Sequence, residues 1–135
     1  MNAKQGFKEI DNTADAALHI WGSTLPALFQ QAALGLFALA GARTEGTSTI
    51  FKTINLDADD MEILLINFLS ELLFYLNNGI LFQVDRLKIN EHHLEGRLAG
   101  GKVLDMRREI KAITYHQMKI IQTADQFQTD IVLDI

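Results

Sequence analysis

The chain has 135 residues, of which 48% are hydrophobic and 21% charged, and a formal net charge of −5. These values are typical of one globular domain and argue against wholesale disorder. The absence of cysteine excludes disulfide scaffolds and thiolate metal sites and fits a reducing cytoplasm. The acidic balance argues against direct, stable binding to nucleic acid, and no segment is predicted to be a signal peptide or a membrane span.

Strand and helix periods follow each other along the chain in the order β-β-α-β-α-β-β-β-β. Ser23 is the predicted N-cap of the first helix, and Gly41 its left-handed end. The predicted elements are strands at 7–10 and 16–21, a helix to residue 40, a strand at 49–56, a helix to about residue 78, and strands at 80–89, 94–99, 109–118 and 127–133. The pattern predicts an α+β, two-layer domain over residues 1–135, with two helices on one mostly antiparallel sheet.

The stretch 109–118 is rich in β-branched and aromatic residues, which predicts a strand. Both of its faces are apolar, so we expect a central strand of the sheet. Lys111, at its start, must reach solvent, an acidic partner or a ligand, because an unpaired buried charge is costly. The acidic candidates are Asp11 and Asp15 near the start of the chain, and Asp134 with the terminal carboxylate of Ile135.

The aspartates at the two ends of the chain are the first candidate site. A hard cation such as Ca²⁺ or Mg²⁺ takes carboxylate and carbonyl oxygens. Asp15, Asp134 and the carboxylate of Ile135 supply such oxygens if the two ends of the domain meet. From the residues alone, fraying of both ends is the competing interpretation.

The second helix carries a polar stripe among its leucines. Asp60 and Glu71 are eleven residues apart, close to three turns, which separates them by about 16 Å on one face. One interpretation is a solvent-facing stripe in which Asp60 stabilises the helix start. The other is that Glu71 faces a polar pocket or a partner. His116, on an apolar face of the 109–118 strand, is either a core histidine or an acid–base group.

At these residues the chain resembles the archease family. The resemblance covers nearly the whole length. Its markers are Thr13-Ala14-Asp15, residues 24–29, residues 60–65, residues 70–74, residues 110–116, and Asp134-Ile135 at the close. Each piece is short, but their order along the chain is specific.

The resemblance implies a cytoplasmic accessory protein that is not itself an enzyme. Archeases activate the RNA-splicing ligase that joins 2′,3′-cyclic-phosphate or 3′-phosphate ends to 5′-hydroxyl ends, for example in tRNA halves. They promote the guanylylation of that ligase, which uses GTP and Mn²⁺, and its multiple turnover. The family's metal site corresponds to Asp15, Asp134 and Ile135, and its clustered lysine corresponds to Lys111. Calcium is the expected metal, with magnesium or manganese as alternatives.

The chain departs from the family pattern at Asn12, where the family commonly has histidine. An asparagine does not titrate near neutral pH and is a poor metal ligand. In this assignment Lys111, Asp60, Glu71, His116 and Asn12 support the metal ligands.

Two further functions belong to other classes. One is a stand-alone metal-dependent phosphoesterase that uses Asp15 and Asp134, with His116 as acid–base. The other is a chaperone-like interaction module acting through the leucine-rich second helix, which requires exposed apolar surface.

Overall fold

The computed structural model describes residues 4–11, 15–115 and 118–135. Its elements are, in chain order, β1 (Gly6–Ile10), β2 (Ala16–Gly22), α1 (Leu25–Ala40), β3 (Arg43–Thr44), β4 (Ile50–Asp57), α2 (Met61–Asn77), β5 (Ile80–Asn90), β6 (His93–Asp105), β7 (Ala112–Thr114), β8 (Ile121–Gln122) and β9 (Phe127–Asp134). Both predicted helices are present among antiparallel strands, which confirms the α+β class. The short strands β3 and β8 were not predicted.

The strands form two antiparallel sheets rather than the single sheet expected. Sheet 1 has the order β1-β2-β9-β7, and β8 also pairs with β9. Sheet 2 has β6 at its centre, paired with β3, β4 and β5. Each helix contacts strands of both sheets, and this explains why the helices are apolar around most of their circumference.

The two helices begin with polar side chains that bind free main-chain N–H groups. In α1 the cap is Thr24, whose hydroxyl accepts a hydrogen bond from the Ala27 N–H at 3.1 Å, one residue after the predicted Ser23. Gly41 ends α1 with φ of +60°, as predicted. This conformation favours glycine because a side chain would be strained there.

The core lies where the helices meet the two sheets. Phe29 of α1 and Phe68 of α2 are both 0% exposed, with ring centroids 5.7 Å apart. The leucines of α2 are at most 4% exposed. The leucine-rich helix is therefore a core element, and Phe74, which is 60% exposed, is the large apolar side chain that it offers to solvent.

The predicted end of the 94–99 strand is wrong, because β6 runs on through Gly100 and Gly101. A Cβ at Gly100 would clash with the carbonyl oxygen of Leu81 and lie 2.8 Å from the Phe82 ring. The glycine lets β5 approach β6 closely rather than ending the strand. As a result β6 spans 13 residues and holds sheet 2 together.

The segment 109–118, which was predicted to be a central strand, also differs from its prediction. Only Ala112–Thr114 forms a strand, and within the described part of the chain it pairs with β9 alone, at the edge of sheet 1. Ile110 and Ile113 are both buried while Lys111 is exposed. The alternation of buried and exposed side chains therefore starts only after Lys111, and Ile110 is buried without being in a strand.

Candidate functional site

Asp134 lies at the end of β9, between the two other strands that carry candidate residues. On one side β9 pairs with β2, and Leu133 is opposite Ala16. Continued by one residue, this antiparallel register sets Asp134 opposite Asp15. Directly opposed residues share a face of the sheet, with Cβ atoms about 5 Å apart. The structure therefore brings together two aspartates that are far apart in sequence.

Lys111 reaches the same place from the other side of β9. Its main-chain N–H donates a hydrogen bond to the carbonyl oxygen of Asp134 at 2.7 Å, and Ala112 pairs with Asp134 in the β7–β9 ladder. Lys111, Asp134 and Ile135 are all exposed, and Asp15 is half-buried. We call Asp15, Lys111, Asp134 and Ile135 the aspartate cluster. It holds carboxylates and one ammonium group at a solvent-accessible end of sheet 1.

Asn77, the last residue of α2, fixes the backbone that leads into the cluster. Its side-chain amide donates a hydrogen bond to the carbonyl oxygen of Ile110 at 3.0 Å. Ile110 itself is fully buried. Asn77 and the Asp134 carbonyl thus bind the same peptide group, the one that joins Ile110 to Lys111, and they fix the chain where it enters Lys111. The sequence placed Asn77 only near the predicted end of the second helix, so its role in positioning Lys111 was missed.

A groove of about 310 Å³ adjoins the cluster between α2 and β7. It is lined on the α2 side by Ser70, Leu73, Phe74, Asn77 and Asn78, and on the other side by Lys111, Ala112 and Ile113. An exposed aromatic ring and the lysine thus share one concave surface beside the carboxylates. Neither the groove nor Phe74 was identified from the sequence.

Asp60 and Glu71 lie away from the aspartate cluster. Asp60 is the N-cap of α2, and its carboxylate accepts a hydrogen bond from the Ile63 N–H at 2.8 Å. It is thus at the opposite end of the helix from Asn77, about 25 Å away by helix rise. Glu71 acts on Lys52 of β4, whose pKa it raises together with Tyr75, the larger cause. Of the interpretations given for the polar stripe, the structure shows the one in which Asp60 stabilises the helix start.

Two of the predicted residues, Asn12 and His116, lie outside the described residues. Within the described ranges, no group of three His, Cys, Asp or Glu side chains is arranged to hold a metal ion. The aspartate cluster offers two carboxylates and the main-chain oxygens of Ile135. Those are hard donors of the kind that Ca²⁺ or Mg²⁺ prefers, but too few to fill a coordination shell of six or more. Metal binding stays a prediction, for a site that water or a partner would complete.

His19, His93 and Arg43 have structural partners. His19 contacts Asp130 at 2.6 Å and stacks on Trp21, and His93 contacts Asp57 at 2.8 Å. Arg43 binds both carboxylate oxygens of Asp105, and this lowers the pKa of Asp105 while raising that of Arg43. No described helix is long and apolar enough to cross a bilayer.

The chain is similar to archeases over almost its whole length. The model of the archease protein family matches residues 7–135. An archease of Danio rerio is 34% identical over 142 residues, which cover 96% of this chain and 85% of that protein. An archease of Methanosarcina barkeri is 30% identical over 145 residues, which cover 96% of this chain and 95% of that protein.

Solved structures show the same architecture. The crystal structure of an archease from Thermotoga maritima, named as a possible chaperone, has a TM-score of 0.71 at 25% identity and covers 95% of this chain and 96% of that one. A solution structure from Methanobacterium thermoautotrophicum has a TM-score of 0.73 at 26% identity, with 96% and 99% coverage. With both its sequence and its fold matching over nearly the full length, this chain belongs to the archease family.

Proposed function

We propose that this protein is a cytoplasmic accessory factor of the RNA-splicing ligase, and not an enzyme. In this role it promotes guanylylation of the ligase by GTP and allows repeated joining of 2′,3′-cyclic-phosphate or 3′-phosphate ends to 5′-hydroxyl ends, as in tRNA halves. The observation that supports the proposal is the meeting of Asp15, Lys111 and Asp134 at one exposed end of sheet 1. In a member of this family, a cluster assembled from distant parts of the chain is a good candidate for the functional site.

Asp15, Asp134 and a main-chain oxygen of Ile135 are the groups that would hold a divalent metal ion, with calcium expected and magnesium or manganese as alternatives. Two carboxylates placed opposite each other repel, so a cation between them would relieve that repulsion. When bound, the ion would supply positive charge able to attract phosphate or carboxylate oxygens of the ligase complex. The small number of protein donors leaves coordination positions for such oxygens.

Lys111 would orient the carboxylates or contact a phosphate group from the ligase complex. The peptide group that joins Ile110 to Lys111 is held by two hydrogen bonds, from Asn77 and to Asp134. Its exposed ammonium group therefore starts from a fixed point on the rim of the groove. The exposed Phe74 ring in that groove would give the ligase an apolar contact beside the charged one.

The test is multiple-turnover RNA ligation by the cognate ligase, with wild-type protein and with Asp134→Ala. The contact between Lys111 and residue 134 is made by main-chain atoms, so the variant should fold. We expect wild-type protein to stimulate turnover and the variant to give no stimulation. A variant that stimulates as well as wild type would refute the role given to the cluster.

Asp130→Ala is the matched control. Asp130 is exposed, lies on the same strand four residues earlier, and also loses a side-chain partner, His19, when it is truncated. It should stimulate ligation like wild type. Calorimetric titration of wild-type protein and Asp134→Ala with Ca²⁺, Mg²⁺ and Mn²⁺ separates metal binding from ligase activation.

Two other functions predict different results in the same assays. A stand-alone metal-dependent phosphoesterase would turn over nucleotides or phosphoesters without the ligase. A chaperone-like module, the role suggested for the Thermotoga maritima relative, would act on unfolded clients without ligase dependence. The burial of the α2 leucines restricts such a surface on this helix to the neighbourhood of Phe74.

A further inference from the structure

Sheet 2 carries three cations on its solvent face. Arg86 and Lys88 of β5 and Arg97 of β6 are exposed and line a shallow depression of about 410 Å³, together with Thr53 and Asn55 of β4 and one carboxylate, Glu95 of β6. We call these six residues and the nearby Phe51 the cationic face. The whole chain has a net charge of −5, so this local excess of positive charge runs against the overall balance.

A β-bulge places two of these cations next to each other. Val84 pairs with Leu98, and an unbroken register would set Asp85 opposite Arg97. The bulge instead sets Arg86 opposite Arg97. It keeps Leu87 turned toward the core, where it is 8% exposed. Because a bulge sets two residues opposite one, Asp85 stays beside Arg86, and the effect of the bulge is to bring a second cation opposite Arg97.

The protein balances these three charges only in part, with the single carboxylate of Glu95 in the same depression. Among the described residues, Arg86, Lys88 and Arg97 make no ion pair within 4.0 Å, even though Glu95 is opposite Lys88 in the register. By contrast, Arg43, bound to Asp105 on the same sheet, is paired. Three cations around one carboxylate, with no ion pair formed, favour an anionic ligand.

The remaining side chains of the face indicate which anion it takes. Thr53 and Asn55 present short hydrogen-bonding groups beside the arginines, as phosphate-contacting surfaces do. Phe51 belongs to the same outward row of β4 and is 69% exposed, so its ring is available for stacking on a base. An interface with a protein would require an apolar centre, but here the centre is polar and the single aromatic ring is at one side.

We propose that the cationic face of sheet 2 binds single-stranded RNA. Arg86, Lys88 and Arg97 contact successive phosphates, Thr53 and Asn55 add hydrogen bonds to them, and Phe51 stacks on one base. The contact is weak and local, since the rest of the chain is acidic and repels nucleic acid at longer range. It requires neither the ligase nor the aspartate cluster.

The test is fluorescence anisotropy of a labelled, unstructured oligouridine of about ten nucleotides, titrated with the full chain and without ligase. Three phosphate contacts to a single strand predict a slope of about −2 for log K against log [salt], which is about a 20-fold loss of affinity from 50 to 200 mM salt. The triple variant Arg86→Gln, Lys88→Gln, Arg97→Gln should lose at least about tenfold in affinity and flatten that slope.

A second triple variant controls for net charge. Lys8→Gln, Lys102→Gln and Lys119→Gln removes the same number of positive charges from exposed positions outside the cationic face, and it should keep the wild-type slope. Phe51→Ala should weaken binding about fivefold or more without changing the slope, because stacking does not depend on salt as phosphate contacts do.

Three results would overturn the proposal. They are equal loss of affinity in the two triple variants, absence of binding by wild-type protein at low salt, and binding of polyglutamate at the same face with no binding of RNA. Ligase activation is measured separately. Loss of stimulation in Asp134→Ala with RNA binding intact, or the reverse for the cationic-face variant, shows which of the two proposals has failed.

Discussion

The aspartate cluster of sheet 1 and the cationic face of sheet 2 are built in the same way with opposite charge. In each, sheet register sets two like charges opposite each other on neighbouring strands: Arg86 with Arg97, and, where the β2–β9 register is continued by one residue, Asp15 with Asp134. Such pairs destabilise a sheet. Asp134 and the two arginines are exposed and Asp15 is half-buried, so ligands of the opposite charge can reach both pairs.

The two regions differ in what the chain itself provides. Beside the two aspartates the chain places Lys111, whose preceding peptide group is held by two hydrogen bonds. Beside the two arginines it places another cation, Lys88, and a single carboxylate, Glu95. The aspartate cluster is therefore partly neutralised in advance and suited to a cation that is itself shared with a partner. The cationic face keeps an excess of positive charge, and an extended polyanion fits it better than a single ion.

The largest expected effect is a loss of stability on replacing Gly100, which lies in β6, the strand that also carries Arg97. In Gly100→Ala, the new methyl group would meet the Leu81 carbonyl oxygen and the Phe82 ring, so β5 and β6 cannot keep their spacing. We expect a loss of about 3 kcal/mol or more in the free energy of unfolding, measured by urea denaturation.

Gly96→Ala is the matched control on the same strand. There the nearest atoms to a new Cβ are flexible side-chain atoms of Ile54 and Leu87 at 3.2 Å, so the loss should be much smaller. Equal losses in the two variants would mean that close backbone approach is not the reason for Gly100.

A smaller effect, of about 1–2 kcal/mol, is expected for Asn77→Ala, because the buried carbonyl of Ile110 loses its side-chain donor. Stimulation of the ligase should also fall under conditions where the variant is fully folded, since the peptide group before Lys111 keeps only its hydrogen bond to Asp134. Ligation assays at a temperature well below the unfolding midpoint measure this.

Asp60→Ala is the control that separates loss of stability from loss of ligase stimulation. It also removes one hydrogen bond from α2, at the far end of the helix, and should cost about 1 kcal/mol. Stimulation of the ligase should not change. If both variants lost stimulation in proportion to their stability, Asn77 would have only a structural role.

The sequence predicted the helices and strands well, but it predicted less reliably which distant residues lie together in the fold. Helix caps, the glycine stop of α1 and the strand periods are local features, and they gave the order of the elements with small errors in their bounds. The resemblance to the family identified Asp15, Lys111, Asp134 and Ile135, which no local pattern brings together, because their meeting depends on β9 pairing with both β2 and β7.

The errors at 109–118, at Gly100 and at the bulge after Val84 have one physical cause. Local hydrophobic periodicity does not determine how distant strands pair. Apolar residues on both faces of 109–118 indicated a central strand, but Ile110 is buried under Asn77 without being in a strand. Gly100 was predicted to lie beyond the end of its strand, but it is the position where β5 and β6 approach each other closely. The bulge after Val84 shifts register by one residue, so the neighbouring positions of Arg86 and Arg97 were not predictable from alternation.

The smallest expected effect concerns the paired arginine of sheet 2, and it sharpens the contrast with the unpaired ones. Arg43 lowers the pKa of Asp105 in the folded protein. The stability contributed by this pair is therefore present above the unfolded carboxyl pKa of about 3.9 and is lost as the pH falls through the lower folded value. Urea unfolding between pH 2 and pH 7 should show this acid-dependent loss in wild type and a shallower one in Asp105→Asn. Both groups are exposed, so the difference should be small and should shrink further at high salt.

Replacing Arg97 with glutamine should slightly raise the free energy of unfolding at neutral pH, whereas Asp105→Asn should slightly lower it. The reason is that Arg97 is opposite another cation, Arg86, in the sheet register.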